Sequence, residues 1–228
     1  MDCRKLRSTS AARALQEEAA AEDASLLVVG SPARRLLHGS PCPVAVVPRG
    51  WRADGKPRTV GVAYVDTDEG RAALLAAHAL ARRAGATLRA ISVVKATMEM
   101  HLETETYVAG QFGRDLEDVE GEHRLWAARR LHEAVEELND GVPVEVEAVV
   151  GDPAETLIAT SEHLDLLVCG SRGYGPVRGV LLGSVSRRVT AEARCPVMVL
   201  RRGAAAGSAP VAFLAEHELL GQGRASRR

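Results

Sequence analysis

Asp165 to Ser186 reads DLLVCGSRGYGPVRGVLLGSVS, and the fold turns on how this stretch is parsed. Its apolar run, Leu166 to Cys169, is too short for a lone buried helix and stops at a glycine, so it reads as an interior strand. From Gly170 onward, Gly173, Gly183 and Ser184 stand in the spacing G-x2-G-x9-G-S. Val185 to Ala193 then has helical composition with no breaker. Strand, glycine loop and helix start together present bare backbone N–H groups, little side-chain bulk and a helix terminus carrying roughly half a positive charge. Such a turn suits a phosphate. Gly170 and Gly173 let the backbone approach a pyrophosphate, Gly183 and Ser184 place N–H groups and a hydroxyl at the helix start, and Arg172 and Arg178 can donate to phosphate oxygens. The alternative is a plain surface turn that needs glycine; the full spacing and its context favour phosphate.

At 228 residues there is room for one large domain, or one and a half domains of ~150 residues. The chain is 46% hydrophobic but only 3% aromatic, so its core must be built from Ala, Val and Leu, as in parallel α/β sheets. Twenty-nine basic residues against thirty acidic ones leave a net charge of -1, which argues against a nucleic-acid-binding surface. No apolar run approaches the ~18 residues of a membrane span, so no membrane partner is expected. The first 25 residues lack a continuous apolar segment and contain glutamates, unlike a signal or transit peptide; a cytoplasmic location is the expectation. Cys3, Cys42, Cys169 and Cys195 show no C-x-x-C spacing and read as small buried hydrophobes.

The chain contains an internal repeat. DASLLVVGS at Asp23 to Ser31 recurs as LDLLVCGS at Leu164 to Ser171, and PCPVAVVPRG at Pro41 to Gly50 recurs as RCPVMVLRRG at Arg194 to Gly203. Gly30 and Gly170 lie 140 residues apart, whereas Cys42 and Cys195 lie 153 apart. The first copy is therefore shorter between its strands, and the missing part is the glycine loop. There the strand runs into Ser31 to His38, a helix with proline in its first turn. One helix, Ala11 to Ala21, precedes it. Residues 1–50 thus look like the last third of a domain, 51–57 a linker, 58–203 a complete domain and 204–228 a flexible tail. A piece of 50 residues buries little core alone, so it must pack on the full domain or stay mobile.

In the complete copy, strands are expected at Thr59 to Val65, Thr87 to Val94, Val144 to Val150, Leu166 to Cys169 and Val197 to Leu200. Helices are expected at Arg71 to Ala84, closed by Gly85, at Asp115 to Leu138, from Pro153 to about Ser161, and at Val185 to Ala193. The Asp115 to Leu138 helix shows a broad apolar face through Leu116, Val119, His123, Trp126, Leu131, Ala134 and Leu138. Asp152-Pro153-Ala154-Glu155 reads as a capping box. Residues 95–113 form a long polar segment, either a lid or a solvated excursion. The alternation predicts an open, five-stranded parallel sheet with helices on both faces and a ligand at the C-terminal strand edge.

Familiar nucleotide motifs do not explain the loop. A P-loop needs G-x4-G-K-[ST], and this loop has no lysine. A dinucleotide fingerprint needs G-x-G-x-x-G after the first strand; Gly173, Gly175 and Gly179 give G-x-G-x3-G after the fourth. His123 and His132 are nine apart without H-E-x-x-H, and no G-x-S-x-G elbow occurs.

The G-x2-G-x9-G-[ST] motif, the strand opening with Asp165 and the closing Cys195-Pro196-Val197 strand resemble the nucleotide-binding signature of the universal stress protein family, over about Arg58 to Gly203. The resemblance implies an adenine-nucleotide α-hydrolase-like fold, with ATP as ligand and Mg2+ bridging its phosphates. It places adenine against Ala63 and Val93, and the phosphates against Gly170, Arg172, Gly173, Gly183, Ser184, Val185 and Ser186. An acid after the first strand contacts the nucleoside; here it is Asp66, shifted relative to the usual register, and helix capping is its other reading. The resemblance further implies a cytosolic stress-response regulator, at most a weak ATPase, that pairs its last strands across a dimer axis. In this chain Val44 to Val47 and Val197 to Leu200 are the two copies of that strand, so they either pair antiparallel within one chain or each recruit another chain to form a homodimer. A slow nucleotide hydrolase and a ligand-free scaffold are the rival functions.

Overall fold

A computed structural model describes residues 5–6, 10–30, 34–37, 39–53, 55–95, 116–138, 141–171 and 183–200. The first copy contributes α1 (Ala11–Ala21), β1 (Leu27–Gly30), α2 (Arg34–Leu37) and β2 (Val44–Val47). The complete copy follows as β3 (Thr59–Ala63), α3 (Asp68–Ala84), β4 (Thr87–Val94), α4 (Leu116–Glu136), β5 (Val144–Val150), α5 (Pro153–Thr160), β6 (Leu166–Gly170), α6 (Ser184–Glu192) and β7 (Val197–Leu200). The 95–113 segment beyond Lys95, and the tail from 201, lie outside the described residues.

All seven strands join one sheet in the order β1-β2-β7-β6-β3-β4-β5. The five strands of the complete copy run parallel, as expected, and β1 runs parallel to β2. The two copies meet antiparallel, with Val44 opposite Val199, Ala45 opposite Met198 and Val46 opposite Val197. The last strands of the repeat therefore pair within one chain, and the first copy packs on the full domain rather than standing free.

The sheet is buried on both faces. On one side Val60, Val62, Val168 and Met198 pack under Ala73, Leu74, Ala77 and Ala81 of α3 and Leu131 and Ala134 of α4. On the other, Val44, Val46, Leu167, Val197 and Val199 pack under Leu37 of α2, Leu157 of α5 and Val189 of α6. Alanine dominates α3 because parallel strands and a closely seated helix leave little depth for larger side chains. Thr67 caps α3 by accepting a hydrogen bond from the Gly70 N–H at 3.1 Å. Asp68 and Glu69 sit in its first turn, Arg82 and Arg83 in its last, and Gly85 closes it in the left-handed region at φ 67°.

The face expected for α4 is corrected in part: Leu131 and Ala134 are buried as expected. His123 and Trp126 point to solvent, Trp126 with 60% of its surface exposed, and the buried stripe is Ala127, Leu131 and Ala134. That stripe has the i, i+4, i+7 spacing of a helix face, but two of its three members are alanines, so the large residues beside it set the wrong phase. The capping box is half formed. Asp152 Oδ1 accepts from the Glu155 N–H at 2.7 Å, while the Glu155 carboxylate accepts from Arg188 of α6 at 3.0 Å. At the opposite edge of the sheet, Asp165 Oδ2 accepts from the N–H groups of Arg58 and Thr59 at 2.7 and 2.9 Å, pinning the start of β3 to β6.

A Cβ at Gly61 in β3 would fall 2.4 Å from Leu164 Cδ1, so a side chain there requires the leucine to shift. Gly61→Val is expected to destabilise the fold by about 1–3 kcal/mol, the usual cost of overpacking. In urea denaturation the midpoint falls with an unchanged slope, and adding Leu164→Ala makes the second substitution milder than either cost alone suggests. Additive costs would show that Leu164 is not the obstacle.

Candidate functional site

The strand order reverses between β3 and β6: β4 and β5 lie on one side of β3, and β7 lies on the far side of β6. In open α/β sheets this switch point leaves a crevice at the C-terminal ends of the two central strands. Ala63 ends β3, Gly170 ends β6 and the start of α6 lies beside them. Ala63, Val93 and Val185 all pack against the core cluster that holds Cys169 and Val189. Three of the residues singled out from sequence are thus brought to one apolar wall.

Gly170 is fixed by its neighbour rather than by its own dihedrals. A Cβ there would sit 2.8 Å from the Glu69 carbonyl oxygen, so the absent side chain admits the first turn of α3 to the end of β6. Directly after it, Ser171 is 1% exposed, and its hydroxyl has no hydrogen-bond partner among the described residues. A buried hydroxyl left unpaired costs about 1–3 kcal/mol unless a ligand or water satisfies it. Sequence reasoning passed over Ser171, although the signal was visible: serine follows the glycine in both copies of the repeat, as Ser31 and Ser171.

Helix α6 begins at Ser184 with Gly183 as N-cap, and among the described residues no side chain caps it. The amides of its first turn have no acceptor within the helix, and Ser184 is exposed. Ser186 is different. It is buried, and its hydroxyl donates to the Gly170 carbonyl at 3.3 Å, tying α6 to the end of β6. Arg172, Gly173 and Arg178 lie outside the described residues.

Asp66 does not cap α3; Thr67 does. The Asp66 carboxylate instead gathers three donors: Arg130 Nε at 2.8 Å on one oxygen, and Arg71 Nη2 at 3.2 Å and the Tyr64 hydroxyl at 3.3 Å on the other. This knot ties α3 and α4 to the chain leaving β3. The hydrogen bond from Arg130 is the main reason the Asp66 carboxyl is held below its ordinary value, against the upward pull of burial. Burial, then the Asp66 charge, pushes the Tyr64 phenol up. Nothing in the sequence joins Asp66 to Arg130, 64 residues away. Asp152, the α5 cap, also receives Arg188 Nη1 at 3.3 Å, linking α5 to α6 near the same edge.

Cys42, Cys169 and Cys195 are free and buried, and burial pushes the thiols of Cys169 and Cys195 up to about 12, matching the reading of inert core residues. Among the described residues no three His, Cys, Asp or Glu side chains group as a metal site, and no helix is long and apolar enough to cross a membrane.

A doubly wound sheet with this switch point defines an α/β protein. A profile of the universal stress protein family matches residues 57–201, and the chain belongs to that family. A universal stress protein of Mycobacterium tuberculosis is 34% identical over 178 residues, covering 77% of this chain and 57% of its own length. One from Thermus aquaticus is 32% identical over 147 residues, 63% of this chain and 98% of that protein. The chain thus spans little more than half the length of the mycobacterial relatives it matches. Among solved structures, a universal stress protein from Pseudomonas aeruginosa superposes with a TM-score of 0.57 at 18% identity, over 92% of this chain and 73% of that one. Another from Archaeoglobus fulgidus gives 0.54 at 24% identity, over 81% and 63%. Both share the fold.

A carboxylate held low contributes stability above its unfolded value of about 3.9, and that contribution is lost as pH falls through the folded value. Asp66→Asn is therefore expected to lower the melting temperature by a constant amount from pH 7 to about pH 5, with the gap to wild type closing on further acidification. Circular dichroism melts across that range check it; a gap independent of pH would show that the Asp66 charge contributes nothing.

Proposed function

We propose that this chain binds an adenine nucleotide, ATP with Mg2+, at the C-terminal edge between β3 and β6. The observation that carries this reading is the pairing of a buried Ser171 hydroxyl with the start of α6 at the switch point, the one without a partner and the other without a side-chain cap among the described residues. Adenine lies against Ala63 and Val93. The phosphates take the backbone of Gly170, Gly173, Gly183, Ser184, Val185 and Ser186, the Ser171 and Ser184 hydroxyls, and the Arg172 guanidinium. Asp66 borders the nucleoside end and holds Tyr64, Arg71 and Arg130 in place there. Mg2+, held through the phosphates rather than by protein side chains, would supply positive charge there.

The chain acts as a cytoplasmic stress-response regulator, whose nucleotide biases its conformation or its assembly into dimers, rather than as an enzyme. No lysine in the loop and no described acid–base pair at the edge offers a group to drive phosphoryl transfer, so turnover well below ~1 per second is expected.

Calorimetric titration with ATP and Mg2+ tests the site. Ser171→Ala is expected to weaken binding by roughly tenfold, the loss of one hydrogen bond to a charged acceptor, while leaving the melting temperature of the nucleotide-free protein unchanged or slightly raised. Gly173→Asp, which sets a carboxylate against the phosphates, is expected to abolish binding. Equal affinity in wild type and both variants would overturn the assignment.

A further inference from the structure

The complete copy carries a recess at the end of the sheet opposite the switch point. There α4 ends and the chain turns into β5, and a cavity of about 420 Å3 lies between this turn and α3. That volume falls in the range of small-molecule sites, roughly 300–1,000 Å3. Its walls are mainly apolar: Val135, Leu138, Val142 and Val144 line it, each half-buried and packed on the core beneath α3. His78, 7% exposed, is the polar side chain that α3 contributes. The wall on the β5 side is anchored, because Gly141 turns the chain at φ 82° and the Pro143 carbonyl accepts from the Leu88 N–H of β4 at 2.8 Å.

The electrostatics of this recess have one sign. Three glutamates stand where α4 closes, and two of them face arginines: Glu133 pairs with Arg130, and Glu137 lies 3.9 Å from Arg71. The third, Glu136, lines the cavity, is exposed and makes no ion pair among the described residues. No basic residue occupies the last turn of α4, so the partial negative charge of the helix C-terminus is not offset by a cation of that turn. A carboxylate or phosphate entering the recess would meet like charge; a cation would complete the pattern that the other two glutamates already show.

We propose that this recess binds a small organic cation, with an apolar body against Val135, Leu138, Val142 and Val144 and a single ammonium directed at Glu136 and the end of α4. The site is separate from the nucleotide reading and does not depend on it.

Tryptamine, titrated into the full chain and followed by backbone amide chemical shifts, tests the proposal, with indole-3-propionate as a twin of similar shape and opposite charge. The expected result is saturable binding of the amine with shifts centred on Val135, Leu138, Gly141 and Val142, and binding of the acid at least about tenfold weaker. Glu136→Gln is expected to weaken the amine about fivefold, the scale of one exposed ion pair. Val142→Trp, which fills the recess, is expected to abolish binding. Glu136 is exposed and Val142 half-buried, so both variants are expected to fold, as melting curves will show. Absence of saturable binding, equal affinity for amine and acid, binding unchanged in both variants, or shifts centred elsewhere would overturn the proposal. Displacement of the amine by ATP with Mg2+ would do so too, because the switch point lies at the other end of the sheet.

Discussion

The approach of the Glu69 carbonyl to Gly170 is the constraint from which the rest follows. A β3–β6 pair could form with many residues at that position, but a helix leaving β3 can begin only if its first turn clears the end of the neighbouring strand. Gly170 gives that clearance, since any Cβ would lie 2.8 Å from the oxygen. A second glycine acts with it. A Cβ at Gly70 would stand 1.9 Å from the Val65 carbonyl oxygen, so the chain folds tightly back on itself as α3 starts. With α3 seated, Ser171 is buried behind it and the Gly170 carbonyl is left to the Ser186 hydroxyl, which positions α6. One tight contact thereby places both the unpaired hydroxyl and the open helix terminus at the same edge.

Around that edge the polar groups divide into two kinds. Asp66, Asp152 and Ser186 are engaged by protein partners and hold α3, α4, α5 and α6 to the strand ends. Among the described residues Ser171 has no partner, and the first amides of α6 have no side-chain cap. The division leaves a framed strand edge with a buried hydroxyl and a helix start whose partners, among the described residues, are not protein side chains. It also explains why the acid chosen from sequence ends in an ion-pair knot: directly beyond a strand that two helices must straddle, a carboxylate is the natural place for their arginines to meet.

The first copy supports the same sheet without repeating the site. Its closing strand joins β7 antiparallel, carrying the buried Val44 and Val46 onto the core beside Val197 and Val199. Fully burying a valine contributes on the order of 1.5 kcal/mol or more, so this short segment extends a core it could not form alone. Between its two strands stands α2, held to α1 by a hydrogen bond from Gln16 Nε2 to the Leu36 carbonyl at 3.1 Å. The glycine spacing has no counterpart in the sequence of the first copy.

Much of this was legible from residue order, for definite reasons. Apolar runs bounded by glycine located the strands to within a residue or two, and the unequal repeat announced that two copies of the last strand had to be accommodated. Thr67 was missed as the cap because Asp66 and Asp68 beside it drew attention. On α4, Leu131 and Ala134 were read onto the inner face, but Ala127 was missed because it carries little signal next to Trp126. Long-range partners such as Arg130 left no trace in the sequence at all, since an ion pair across 64 residues has no local pattern. The most direct measurement is a map of backbone amide chemical shifts with and without ATP and Mg2+. The expected changes cluster at Ala63, Val93, Gly170, Ser171 and Ser184 to Ser186, leaving Thr59, Thr87 and Val144 at the opposite edge unmoved. Changes centred instead on that opposite edge, around His78 and Val142, would contradict a nucleotide site at the switch point.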